Sequence, residues 1–333
     1  MPIARSCQYR WYSNGYPLAH HRHCCYASLR RARWIARIEC KEGLQPVTSL
    51  PKDNVSDPPV RTEFTGSAPR LAFDVAGRGE HVVLLHGVGG NRRNWAPQLP
   101  AFAHHFRVIA WDARGYGDSD DYEGSLSISD YSDDVVRLLD HLGADAAHLV
   151  GLSMGGNVAM QCALDHRARV RSLILCDTDR GMQHISEEER LEFLSLRRDP
   201  LMAGESLQEI APKLVDSLTG PDASAEARKA LHDSLLRLHK DMYVKSVEAT
   251  VNFDVTTSVH RIACPTLVVV GEMDRLTPVS EAEAICREIR GSKLVVIPRA
   301  GHISNIEQPQ VFNRETLGFL LGLSRVGARP LSE

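Results

Sequence analysis

The chain has 333 residues, of which 43% are apolar and 24% charged, with a formal net charge of −3. That balance excludes wholesale disorder and a fibrous repeat, and no apolar run approaches the roughly 18 residues of a membrane-spanning helix. The charge is unevenly spread: residues 1–38 carry seven Arg and no acid, leaving residues 39–333 at −10, and an acidic body argues against nucleic acid as a partner.

Residues 1–59 differ from the rest. The first 40 hold Cys7, Cys24, Cys25, Cys40, a His20-His21-Arg22-His23 cluster and six of the twenty aromatics, with no sustained apolar period. A linker with Pro51, Pro58 and Pro59 follows. The segment reads as an unstructured extension. A targeting peptide and a Cys/His metal site are the alternatives: Arg richness favours the first and the spacing matches no structural zinc pattern. Cys162, Cys176, Cys264 and Cys286 sit singly among apolar residues. They read as buried reduced thiols, which suggests a cytoplasmic protein.

From about Arg70 strands and helices alternate. Apolar runs at 71–75, 81–85, 107–111, 147–150, 172–176, 266–270 and 293–297 are of strand length and lack polar alternation. Strands of that kind need cover on both faces, as in a parallel sheet. Helical periods fill 129–142, 154–166, 278–289 and 309–321, with Thr277 and Pro278 as a cap and first-turn pair. Between 181 and 261 the rhythm breaks into helices. Ser186 with Glu189 and Ser206 with Glu209 form two capping boxes, and helical patterns follow at 224–238 and 241–251. The expectation is an α/β fold: a mostly parallel, doubly wound sheet from residues 60–180 and 262–333, with 181–261 as a helical lid over its carboxyl edge.

Gly151-Leu152-Ser153-Met154-Gly155-Gly156 lies between a predicted strand and a predicted helix. This is the setting of a G-x-S-x-G elbow, in which a tight turn lifts a Ser hydroxyl above the sheet. Such a hydroxyl needs a base, and the base needs an orienting acid. His302 follows one strand after Gly301, and Asp274 follows another after Gly271-Glu272-Met273. Asp177, Asp179 and Glu272 are the rival acids. Backbone N–H groups of Val88, in the His86–Gly90 loop, and of Met154 are candidates to hold an oxyanion, with Gly89 second to Val88. The 112–119 loop, with Asp112 and Arg114, reads as a brace for that loop.

These motifs together resemble the α/β-hydrolase superfamily over roughly residues 70–322. The Gly-Leu-Ser-Met-Gly-Gly elbow and the Gly301-His302-Ile303-Ser304-Asn305-Ile306-Glu307-Gln308-Pro309 tail are similar to those of 3-oxoadipate enol-lactonases. Carbon–carbon bond hydrolases, small esterases and cofactor-free haloperoxidases share similar strings. Ser at 153 departs from epoxide hydrolases and haloalkane dehalogenases, which use Asp there. The resemblance implies hydrolysis of a small carboxylic ester or lactone through an acyl-Ser153 intermediate, with no metal or organic cofactor. Trp95, Arg180, Phe193 and Met242 are the expected pocket residues. Arg92, Arg93, Arg180, Arg197 and Arg198 are candidates to grip a substrate carboxylate.

Overall fold

Consecutive branched apolar residues must be covered on both faces, and the strands between residues 72 and 297 are buried along nearly their whole length. The computed structural model of the chain describes residues 9–10, 57–182 and 185–327. Among them a nine-stranded sheet runs in the order β1-β9-β8-β7-β6-β4-β5-β3-β2, where β1 is Tyr9–Arg10, β2 Arg61–Phe64, β3 Ala72–Gly77, β4 His81–Leu85, β5 Arg107–Trp111, β6 Ala147–Leu152, β7 Val170–Cys176, β8 Thr266–Gly271 and β9 Lys293–Ile297. The pairs β2–β3 and β3–β5 are antiparallel and the others parallel. Apart from Tyr9–Arg10, which pairs with β9 at Leu294 and Val295, and residues 57–59, the amino-terminal extension and its Cys/His cluster lie outside the described residues.

The chain leaves β5, crosses β4 and enters β6, so β4 has β5 on one side and β6 on the other. Strand order reverses there, and the carboxyl ends of β4 and β6 open side by side, with Leu85 in register with Gly151. Open α/β sheets bind ligands at such a reversal.

Helices α1 (Leu99–Ala103), α2 (Ile128–His141) and α3 (Met154–Asp165) connect the first half. The α2 helix starts earlier than its apolar period suggests, because Ser127 and Asp130 close a capping box. Five helices, α4 (Glu187–Arg197), α5 (Asp199–Met202), α6 (Leu207–Leu218), α7 (Ala225–Leu235) and α8 (Lys240–Val251), lie between β7 and β8. Where four were expected, the extra one is the four-residue α5, too short to show a period. The base of the insertion is closed by a Gly181–Asp254 bridge and the Val255 N–H donating to Arg180 O at 2.8 Å. Helices α9 (Val279–Glu288), α10 (Ser304–Glu307) and α11 (Pro309–Gly327) complete the second half. Pro278 itself is the N-cap of α9, and the expected Thr277 cap is not formed. No helix of the described residues is long and apolar enough to cross a membrane.

Candidate active site

Ser153 sits between β6 and α3 at φ +53° and ψ −121°, a backbone state that L side chains rarely occupy. The flanking glycines make that turn possible. A Cβ on Gly151 would stand 2.1 Å from the Gly155 carbonyl oxygen, and one on Gly155 would stand 2.1 Å from that of Leu85. The turn is pinned by the Ser153 N–H donating to Cys176 O at 2.9 Å and by the Thr178 hydroxyl donating to Ser153 O at 2.8 Å.

His302, in the loop after β9, places Nε2 2.9 Å from Ser153 Oγ and Nδ1 2.9 Å from Asp274 Oδ2. Asp274, in the loop after β8, is held from its other side. Its Oδ1 accepts the N–H groups of Leu276 (2.9 Å) and Thr277 (3.0 Å), and its Oδ2 accepts the Thr277 hydroxyl at 2.7 Å. Burial alone would raise the Asp274 pKa, but the facing His302 and the hydrogen bonds from His302 and Thr277 bring it below the ordinary carboxylate value. His302 moves the other way. Burial disfavours its charged form, yet Asp274, by charge and hydrogen bond, and then Asp177 hold it above 6.5, against an opposing push from Arg197.

The rival acids lie elsewhere. Asp177, fully buried, accepts the Gly271 N–H at 2.8 Å, the Ser304 N–H at 3.2 Å and the Ser304 hydroxyl at 2.6 Å. It thus ties the end of β8 to the start of α10, flanking both candidate loops. Burial and the neighbouring Asp274 push its pKa up. Asp179 accepts the Gly181 N–H, and Glu272 the N–H of Arg299. Of the four acids, Asp274 is the one bonded to His302.

The loop after β4 passes directly over the serine. A Cβ on Gly87 would lie 3.0 Å from Ser153 Cβ, and Val88 and Gly89 line the same cavity as Ser153 and His302. Met154 opens α3, so its N–H is one of the first-turn donors without an intrahelical acceptor. The Asp112 carboxylate holds the turn just past this loop, taking the Arg92 N–H at 2.7 Å and its guanidinium, and the loop itself is met by the Ala113 N–H, which donates to His86 Nε2 at 3.1 Å. Arg114 does not brace the loop, because its guanidinium forks onto Asp134 of α2.

The cavity above Ser153 is walled by leucines of the inserted helices, among them Leu214, Leu218, Leu231 and Leu235, together with Tyr243 and Arg197. The four pocket residues expected from sequence are not in that wall. Trp95 is fully buried and packs toward Phe312, with ring centroids 6.3 Å apart. Arg180 is drawn away by Glu281 and Glu288 of α9. Phe193 lies beneath the Arg197 guanidinium, 4.1 Å from its ring centroid. Met242 is packed against Gly115. Of the candidate carboxylate-binding arginines, Arg92 faces Asp74, Asp112 and Asp118, Arg198 pairs with Asp199, Arg93 is exposed, and Arg197 alone borders the cavity. Thr277 was missed as a partner of Asp274, and its place three residues on, after an Asp, is the signal that could have found it.

Taken together, this arrangement can move a proton from Ser153 to His302 while Asp274 fixes the imidazole. The sequence model of the alpha/beta hydrolase family matches residues 82–315. The chain is 31% identical over 255 residues to 3-oxoadipate enol-lactonase 2 of Acinetobacter baylyi, covering 75% of this chain and 92% of that one. It is 30% identical over 243 residues to a putative carbamate hydrolase RutD of Caulobacter sp., covering 72% and 90%. A solved thermophilic esterase from Thermogutta terrifontis superposes with a TM-score of 0.70 at 31% identity, covering 79% and 98%. The family match runs from β4 into α11, across every loop that carries Ser153, Asp274 and His302, and on it the chain belongs to the alpha/beta hydrolase family.

Proposed function

We propose that the protein hydrolyses a small-molecule carboxylic ester or lactone through an acyl-Ser153 intermediate. The observation that carries this reading is the unbroken chain from Ser153 Oγ through His302 to Asp274, with both links at 2.9 Å. Neutral His302 accepts the Ser153 proton through Nε2 as Oγ attacks the carbonyl. The developing oxyanion is met by the N–H groups of Val88 and Met154. His302 then gives the proton to the leaving oxygen, and in the second half it activates water to release the acid. Asp274 holds Nδ1–H and stabilises the imidazolium. In a lactone the leaving oxygen stays tethered to the acyl group. None of these steps calls on a cofactor. Relatives named as an enol-lactonase and an esterase support ester-type chemistry. Cys162, Cys176, Cys264 and Cys286 are free thiols, which suits the cytoplasm. The acidic body argues against nucleic acid and leaves a small molecule as the substrate.

The test is Ser153→Ala. It should abolish turnover of p-nitrophenyl acetate, the pre-steady-state burst and labelling by a fluorophosphonate probe. Undiminished turnover in that variant would overturn the assignment.

A further inference from the structure

Arg197 closes α4 at the cavity wall that also contains Ser153 and His302, and it is 3% exposed. Among the described residues its guanidinium makes one hydrogen bond, from Nη1 to Phe193 O at 3.4 Å, and stacks on the Phe193 ring. No carboxylate of the described residues stands within ion-pair reach of it. Elsewhere the same chain sets acid around its shielded arginines: buried Arg92 faces three aspartates and half-buried Arg180 two glutamates. A guanidinium keeps its charge in a protein and presents five N–H donors in a planar fork. Burying that charge without a partner is costly, and a ligand that brings the missing anion recovers the cost. Burial does push the Arg197 pKa down, with Tyr243 as a weak counterweight.

We propose that Arg197 recognises a carboxylate of the substrate, so that the ester or lactone accepted by this site carries a free acid group remote from the scissile bond. The inference rests on the serine-hydrolase reading, because it places the ligand in the Ser153 cavity. The other walls, Leu214, Leu218, Leu231 and Leu235, suit a short apolar spacer between the two ends. Arg197 also has a second effect that an anionic ligand would relieve. Its charge opposes protonation of His302, and a bound carboxylate cancels that opposition.

The experiment compares p-nitrophenyl hydrogen glutarate with its neutral methyl ester, p-nitrophenyl methyl glutarate. The wild-type enzyme should favour the acid in kcat/KM by about tenfold or more. Arg197→Met should bring the ratio to about one, and Arg197→Lys, which keeps the charge without the fork, should retain part of it. Equal use of both esters by the wild type overturns the proposal, and so does a preference that survives in a folded Arg197→Met protein. Binding of glutarate to Ser153→Ala, followed by calorimetry, tests recognition without turnover. Adding Arg197→Met should weaken it at least tenfold, and unchanged binding overturns the proposal. If Arg197→Met does not fold, the wild-type preference and competitive inhibition of the wild type by glutarate decide. Failure of the serine-hydrolase reading shows separately, as turnover in Ser153→Ala.

Discussion

The Thr277 hydroxyl donates at 2.7 Å to the same Asp274 oxygen that His302 Nδ1 approaches at 2.9 Å. One carboxylate oxygen therefore serves both groups, and Thr277 helps aim it. Thr277→Val keeps the shape and removes the donor. With that support gone, the Asp274 carboxylate is less stabilised and less fixed, and a lost hydrogen bond to a charged group is worth about 1.5–3 kcal/mol. Felt only in part at the transition state, this lowers kcat on p-nitrophenyl acetate by about tenfold, and Thr277→Ser restores it. A valine variant with wild-type kcat would show that the backbone N–H bonds to Asp274 suffice.

The activity should depend on pH through His302. The ring acts as a base only when neutral, and its pKa is held above 6.5 by Asp274 and Asp177 against burial. The kcat/KM profile should therefore rise with pH, with its acidic midpoint above 6.5. Asp177 is charged only in part there, because burial and Asp274 push its pKa up to about 8, and Asp177→Asn removes that partial charge, so the midpoint moves slightly to lower pH. The amide also turns a donor toward Ser304 or Gly271, which costs about 1–3 kcal/mol of stability. Kinetics across pH on both proteins decide this. A midpoint that stays in place, or moves up, removes Asp177 from the electrostatics of the site.

The strands β4, β5 and β9 begin and end where their apolar runs do, because a strand covered on both faces is written entirely in local composition. By contrast β2, Arg61–Phe64, is mostly exposed at the sheet edge and carries no such run. The elbow glycines, Asp274 and His302 were legible for a similar reason: each stands in a short motif just past a strand. The cavity was not. Its wall comes from α4, α6, α7 and α8, far away in sequence, and five arginines looked alike until their partners were known. Glutamates of α9, about a hundred residues downstream, reach Arg180 and not Arg197. Thr277 and Pro278 looked like a cap and first turn, and the distant His302–Asp274 pair claimed the threonine.

That difference between the two arginines is measurable. Arg180 bonds Glu281 through Nε at 2.8 Å and also reaches Glu288, clamping the start of the insertion to α9. Arg180→Ala removes the cation that these two shielded carboxylates share. Chemical denaturation should show a loss of about 1–3 kcal/mol. The preference between the acidic and neutral glutarate esters should stay as in the wild type, because Arg180 does not border the cavity. A collapsed preference would return Arg180 to the pocket.

Glu307 connects the inserted helices to the histidine. Its two carboxylate oxygens each accept one N–H at 3.0 Å, from Gly301 beside His302 and from Gly220 just past α6. The His302 N–H itself donates to Leu218 O of α6 at 2.9 Å. The two backbones are so close that a Cβ on Gly301 would stand 2.3 Å from the Gly220 nitrogen. Movement of α6 therefore pulls on the loop that sets the His302–Ser153 distance. Glu307→Ala leaves two backbone donors without their acceptor, at a cost of about 1–3 kcal/mol in urea denaturation. If Glu307 also positions the loop, kcat falls by about tenfold while fluorophosphonate labelling of Ser153 slows in proportion. Reduced stability with unchanged kcat and labelling would confine Glu307 to holding the fold, and would mean that the contacts of His302 with Leu218 and Asp274 set the imidazole on their own.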